Sequence, residues 1–398
     1  MMPNPGKSIQ AVMEAPIPKI KDLARGREDI VSFAQGLPWF GPPPAAVDRV
    51  LERIRGGEGT GYSDDLGRPR LRGLLAADLR KQGYAGASPD RLCLTPGANQ
   101  AVYIALSVLA DPGEEVILPR PYYFNNLMAL QLLGLKPVLI ETGSNGAIDP
   151  EAVRRAVSRR TRAIIVISPN NPTGAVAGRE TWDRLLQIAR QAGIILIADE
   201  AYRDFAWDGP HVSPLTMDTE NVIGVFSFSK SYGMAGWRLG FLLAPPELVV
   251  QAVKAADTLH ICPPAPAQLL AEDILESEPD YPRRFRDDMK ASRDRLIAAL
   301  RPLHARGLIS EPRGEGGFYV FIRLTPKHPQ SGWEIARRLA DEYALAAVPG
   351  EAFGMEGSPW LRLSYGNIRA AEMDSAADRL AEALAEILRS SMSRKGHP

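Results

Sequence analysis

The sequence predicts an α/β fold: a large unit built on a mostly parallel sheet, followed by a smaller α+β unit. Three observations lead there. Short apolar runs, EVILP, KPVLI, AIIVI, GIILIA and VIGVFSF, recur between residues 115 and 228. Uninterrupted apolar runs separated by helices mark strands buried on both faces. The chain, at 398 residues, exceeds the usual size of one domain. From about residue 302 the pattern changes to separate strands, GGFYVFIRL, LAAVP and LRLSY, around the helix GWEIARRLADEY, which reads as α+β. The expected division is an N-terminal arm with part of the small unit over residues 1–45, the large unit over 46–285 and the small unit over 286–398.

Taken in order, residues 1 to 30 are Pro-rich and mixed, and IVSFAQGLPWFGPPP is a short strand followed by a Gly/Pro turn. AAVDRVLERI and RPRLRGLLAADLRKQ have helical spacing, with Tyr62 in the glycine-rich break between them. LCLTPGANQ leads into the helix AVYIALSVL, YYFNNLMALQLLG separates EVILP from KPVLI, and ETWDRLLQIARQ separates AIIVI from GIILIA. After GFLLA come the helices PELVVQAVKAA and APAQLLAEDILES, and the charge-rich RRFRDDMKASRDRLIAALRPL is expected to bridge the two units. A helix near AAEMDSAADRLAEALAEIL closes the fold, and RSSMSRKGHP reads as a solvated tail. No internal repeat or low-complexity tract is evident.

Lys+Arg 47 balance Asp+Glu 47, without a basic stripe interleaved with aromatics. That argues against nucleic acid or an acidic membrane as partner and for a small ligand. The two cysteines, Cys93 and Cys262, are too few for a disulfide framework or a zinc cluster. They read as reduced core residues, which fits the cytoplasm. The N-terminus lacks the apolar core of a signal peptide, and no stretch of about 18 apolar residues is present, so a soluble protein is expected.

The chemistry gathers around VIGVFSFSKSYGMAGWRLG, residues 222 to 240, a strand that runs into a Ser-x-Ser-Lys turn. A lysine directly after a buried strand is out of place as a surface charge. In a desolvated pocket Lys230 would be an amine able to form a Schiff base, and Arg238 a cation suited to phosphate. A lysine for an aldehyde beside an arginine for a phosphate points to pyridoxal 5'-phosphate. Asp199 follows GIILIA, where a carboxylate could keep a pyridine nitrogen protonated or simply cap a helix. Asn171, in SPNNPTG after AIIVI, and Tyr202, in DEAYRDF, can donate hydrogen bonds to a phenolate oxygen, although Asn-Pro-Thr-Gly is also a good turn. TPGANQ opens a helix, so backbone N–H groups at Gly97, Ala98 and Asn99 would face an anion; with Ser227, Ser229 and Arg238 they could form a phosphate cup. Tyr123 offers a flat face for an aromatic ring. Arg362, inside the strand LRLSY, is costly to bury unless a carboxylate pairs it.

Taken together, SPNNPTG, DEAYRDF, SFSKSYGMAGWRLG, LRLSYG and TGYSDDLGRPRLR resemble the class I/II aminotransferases among the fold-type I pyridoxal phosphate enzymes, in order and over nearly the whole chain. The resemblance implies a seven-stranded, mostly parallel sheet and transfer of an amino group between an L-amino acid and a 2-oxo acid by a ping-pong mechanism. It implies that Lys230 is the Schiff-base lysine and proton carrier, that Asp199 binds the pyridine nitrogen, that Asn171 and Tyr202 bind the phenolate oxygen, and that Tyr123 stacks on the ring. Ala98, Asn99, Ser227 and Arg238 correspond to phosphate ligands, and Gly36, Asn171 and Arg362 to the α-carboxylate site. Tyr62 corresponds to a residue that reaches the phosphate of a neighbouring subunit, which implies a homodimer with shared active sites.

Departures from the family pattern concern the substrate. Trp39-Phe40 stands where many members have an acidic residue followed by an aromatic, and Arg203 where many have Glu; Asp64 and Asp65 follow Tyr62. No second arginine is assured for a distal carboxylate, although Arg203 or Arg68 could serve, so a dicarboxylate substrate does not follow from the sequence. The alternative reactions on the same scaffold are β- or γ-elimination, a cyclising synthase step or an oxidation, since residues that prepare a carbanion do not dictate its fate. A ligand-sensing regulator fused to a DNA-binding module is a further alternative, but the N-terminal arm is too short for a winged helix.

Overall fold

The computed structural model describes residues 4–23, 25–324 and 328–393. Near the N-terminus a two-residue strand, Val31–Ser32 (β1), precedes the main sheet. That sheet contains Leu92–Thr95 (β2), Glu115–Arg120 (β3), Lys136–Glu141 (β4), Thr161–Ile167 (β5), Ile195–Asp199 (β6), Val222–Ser227 (β7) and Gly240–Leu243 (β8). Its seven strands lie in the order β2-β8-β7-β6-β5-β3-β4. All run in one direction except β8, which is antiparallel to both of its neighbours. The expected mostly parallel sheet is therefore present.

The residues explain the layers. In β7 every position from Val222 to Phe226 is buried, because helices cover both faces. The helix Arg179–Ala192 turns Trp182, Leu185, Leu186 and Ala189 inward at helical spacing and ends at Gly193, whose φ of 65° closes the last turn. On the opposite face Ala98–Leu109 buries Ala101, Val102, Ala105 and Leu106.

Tyr319–Arg323 (β9), Leu345–Ala346 (β10), Val348–Pro349 (β11) and Trp360–Ser364 (β12) form the smaller sheets. β11, β12 and β9 are antiparallel in that order, with Arg362 opposite Phe321 and Trp360 opposite Arg323. The helix Gly332–Tyr343 starts with a capping box between Ser331 and Glu334. The helices Arg286–Ala305 and Ala370–Ser393 pack on each other.

Three local expectations differ. LAAVP, expected as one strand, serves two sheets: β10 pairs in parallel with β1, while β11 pairs antiparallel with β12, and Ala347 makes the step. The mixed arm forms helices over Lys7–Ala11 and Pro16–Leu23. In the second, Pro16 and Pro18 fall in the first turn, where a backbone donor is not needed, and Pro16 and Ile20 are buried. The closing helix continues to Ser393, through the first part of the expected tail, and 394–398 lie outside the described residues. Among the described residues no helix is long and apolar enough to cross a membrane, no group of His, Cys, Asp or Glu could hold a metal, and Cys93 and Cys262 are unpaired.

Candidate active site

The carboxyl ends of β2, β3, β5, β6 and β7 share one edge of the sheet, and antiparallel β8 brings its start to that edge. Ligands of such sheets bind there. At this edge a cavity of about 310 Å³ is lined by Gly36, Ala98, Asn99, Tyr123, Asn171, Asp199, Tyr202, Ser227, Ser229, Lys230, Arg238 and Arg362. Of the residues singled out from the sequence, Gly97 lies just behind this lining and Tyr62 lies outside it.

Gly97 has a φ of 90°, and a Cβ there would come within 2.5 Å of Nη2 of Arg238, so only glycine fits. It precedes the helix Ala98–Leu109, which has no side-chain cap. The N–H groups of Ala98 and Asn99 have no hydrogen-bond partner among the described residues. Arg238, itself left-handed at φ 55°, is fixed by donating from Nη1 to the Ala235 carbonyl at 2.9 Å. Ser227 caps the short helix Phe228–Ser231, its hydroxyl accepting from the Ser229 N–H at 3.1 Å.

Lys230 Nζ donates to the Gly36 carbonyl at 2.7 Å. Burial, with the nearby charges of Arg362 and Arg238, lowers its pKa from 10.5 to about 8, so the free amine is far more accessible than for an ordinary lysine and predominates above that pH. Asp199 is pushed up to about 6 by burial, while its Oδ1 accepts from the Ala201 N–H at 3.0 Å. Burial also raises the phenol of Tyr123, to about 12. Tyr202 shares a 2.5 Å hydroxyl–hydroxyl hydrogen bond with Tyr319.

Arg362 is 2% exposed, with no carboxylate paired to it among the described residues. Its Nη1 donates to Oδ1 of Asn171 at 2.9 Å, its Nη2 to the Ala34 carbonyl at 2.5 Å, and its Nε has no partner. The Tyr319 ring lies 4.5 Å from this guanidinium. A rigidly held, buried cation with an orphaned donor is ready for an anion of the ligand.

Residues 28–380 match the family model described as aminotransferase class I and II. The chain belongs to this family. It is an aminotransferase, and members of the family use pyridoxal phosphate to move amino groups between amino acids and 2-oxo acids. It is 32% identical over 382 residues to an aromatic aminotransferase of Arabidopsis thaliana, covering 94% of each chain. With the aspartate aminotransferase of Pyrococcus abyssi it shares 31% over 385 residues, 95% of this chain and 97% of the other. The solved aspartate aminotransferase of Thermus thermophilus with maleate superposes with a TM-score of 0.87 at 30% identity, over 96% of this chain and 100% of that one.

The Lys230 cavity also contains residues without a signal in the sequence. Tyr319 stands one residue after the GGF turn in a strand that reads as core, and no local signal separates it from its apolar neighbours. Ile17 and Lys21 reach the rim from the arm helix Pro16–Leu23. The two arginines considered for a distal carboxylate are elsewhere. Arg203 lies over the rings of Phe226 and Tyr84, at 5.0 and 5.8 Å, and Arg68 is tied by Nε to Glu272 at 2.7 Å. Trp39 packs edge-on against Phe40 and Phe285 and does not line the cavity.

Proposed function

We propose that this cavity is the aminotransferase active site and that it holds pyridoxal 5'-phosphate, with Lys230 as its covalent anchor. The observation that carries this reading is a single buried amine, lowered to about 8, set between two fixed guanidiniums and one buried carboxylate. The residues fit the group. The free N–H groups of Ala98 and Asn99, the hydroxyls of Ser227 and Ser229 and the guanidinium of Arg238 suit its phosphate. Asp199 suits the ring nitrogen, Tyr123 the ring face, and Tyr202 with the amide of Asn171 the phenolate oxygen.

Bound pyridoxal phosphate supplies an aldehyde that takes up the amino group and a ring that withdraws electrons from the α-carbon. Arg362 holds the substrate carboxylate with its free Nε and remaining Nη hydrogens, and so fixes which α-bond faces the ring. The Asn171 amide, its Oδ1 engaged by Arg362, keeps its N–H donors for the cofactor. Lys230 Nζ, once released, takes the α-proton. Tyr202, anchored by Tyr319, orients its hydroxyl without searching for a partner. An amino acid in and its 2-oxo acid out, followed by the reverse with a second 2-oxo acid, gives ping-pong kinetics.

The reading extends to a homodimer with Tyr62 completing the partner's site. Tyr62 is 83% exposed in the protomer. Gln268 donates both to Ser63 Oγ at 3.0 Å and to the Pro263 carbonyl at 2.8 Å, tying the segment that carries Tyr62 to the one that carries the exposed Ile261. Such a surface suits a second copy of the chain. Two unpaired thiols support a cytoplasmic setting. The large unit is taken as residues 46–285, with 1–45 and 286–398 contributing the arm and the small unit. The test is a half-reaction screen: purified holoprotein mixed with single amino acids should convert from the aldehyde to the amine form of the cofactor, seen by absorbance, with release of one 2-oxo acid. Release of 2-oxo acid without the amine form would indicate an elimination instead.

A further inference from the structure

A second cavity, about 260 Å³, lies between the loops at the β3–β4 edge of the large sheet and one face of the small sheet. It is nearly as large as the Lys230 cavity, at about 310 Å³, and the two share no lining residue. We propose that it binds a small monocarboxylic acid with a flat apolar body, held by Arg323 and Trp360.

The charge balance selects a monoanion. Three arginines and two glutamates line the cavity. Arg120 is paired with Glu141, and Arg313 donates from Nε to Glu311 at 2.9 Å. Arg323 is exposed and makes no ion pair among the described residues. One planar, unmatched guanidinium favours one carboxylate. Beside it the apolar wall is flat: the half-buried Trp360 ring stacks on Phe321 at 4.8 Å and 16°, with Met355 next to them. The Arg323 guanidinium stands 6.0 Å from the Trp360 ring, so a carboxylate on Arg323 places an attached ring or chain along the indole.

The position gives the site a reason to matter. Arg323 and Trp360 are paired across β9 and β12, as are Phe321 and Arg362 two residues further along, so all four side chains share one face. Phe353 joins the row, 5.9 Å from Phe321 and 5.1 Å from the Arg362 guanidinium. An occupant would therefore rest on the same packed row that ends at the carboxylate-binding arginine.

The experiment uses calorimetric titration of the holoprotein with 3-phenylpropionate, which has no amino or oxo group to react. The wild type should bind an equivalent that Arg323→Ser loses or binds at least tenfold more weakly, with the activity of the variant unchanged in the absence of the probe. Arg362→Lys, which weakens carboxylate binding at the Lys230 cavity, should keep that equivalent. Trp360→Phe should abolish the fluorescence change that accompanies it, and the uncharged 3-phenylpropanol should bind at least tenfold more weakly. Unaltered binding by Arg323→Ser, or loss of the equivalent in Arg362→Lys, overturns the proposal and leaves the reading of the Lys230 cavity untouched.

Discussion

Nη1 of Arg362 donates to Oδ1 of Asn171 at 2.9 Å, and this bond joins a strand of the small sheet to the turn after β5 in the large one. The bond settles the orientation of both groups: the asparagine presents its N–H side to the cavity, and the guanidinium cannot swing away from it. In the proposed function, this contact between protein side chains would register the carboxylate of the substrate against the ring of the cofactor.

Replacing Arg362 with Lys should therefore raise KM for the amino acid far more than it lowers the unfolding temperature. Lysine keeps the charge but has one point of donation where the guanidinium has a planar fork. Loss of a charged hydrogen bond of about 1.5–3 kcal/mol corresponds to roughly a 10- to 150-fold rise. Asn171→Ala should produce a smaller rise, since the guanidinium keeps its bond to the Ala34 carbonyl. Steady-state kinetics of both variants, with thermal unfolding as the control, checks the order.

Lys230 sets a pH dependence that can be read before any turnover. Its pKa falls from 10.5 to about 8, chiefly through burial. The rate at which apoprotein takes up pyridoxal phosphate should rise as the pH is raised through about 8 and level off above it, because only the free amine attacks an aldehyde. Linkage gives a second sign. Between pH 8 and 10.5 the unfolded chain binds more protons than the folded one, so apoprotein stability gains from this group as pH rises through that window. The burial penalty is fully present below the lower value. Lys230→Met should remove both effects: no visible absorbance change on adding cofactor, and no contribution of this group to the stability profile.

Gly36 is a glycine for a steric reason. A Cβ there would stand 1.9 Å from the Tyr319 hydroxyl and 2.8 Å from its Cζ. Gly36→Ala should displace Tyr319, break its bond to Tyr202 and destabilise the fold by about 1–3 kcal/mol, as overpacking does. Adding Tyr319→Phe removes the closest clash and leaves the ring, so part of the stability should return while kcat stays low. Denaturant unfolding of the two variants beside the wild type gives the measurement.

How much of this was legible in the residues depends on whether the signal was local. Asp199 follows an apolar run directly, and Lys230 and Asn171 stand within four residues of one, so a strand end and a polar side chain are close together in the sequence. Gly97 was legible because a glycine turn stands before an uncapped helix. Tyr319 was not, since it opens β9 among apolar neighbours and meets Tyr202 only through the tertiary packing. Lys21 was hidden in an arm whose prolines read as a helix breaker until their first-turn position is known. The division of LAAVP between two sheets was equally invisible, because a five-residue apolar run does not say which neighbour pairs each half. Arg203 failed in the other direction: the residue is unusual in the sequence, yet its guanidinium lies over Tyr84 and Phe226, out of the cavity.

The role of Tyr62 can be decided by mixing subunits. Within one protomer this side chain is 83% exposed and outside the cavity, so a contribution to catalysis requires a second chain. Tyr62→Ala should weaken cofactor binding with little effect on the unfolding temperature of the apoprotein, as an exposed side chain leaves no cavity behind. Lys230→Ala should be inactive. If Tyr62 serves the partner's site, a hybrid of these two variants contains one site with both defects and one with none. Random pairing of equal amounts makes roughly half of the dimers hybrids, so activity should return to about a quarter of the wild type. If Tyr62 serves its own chain, each hybrid site carries one defect, and mixing gives no more than the average of the two variants. Activity after unfolding and refolding the mixture, compared with the unmixed variants treated in the same way, separates the two arrangements.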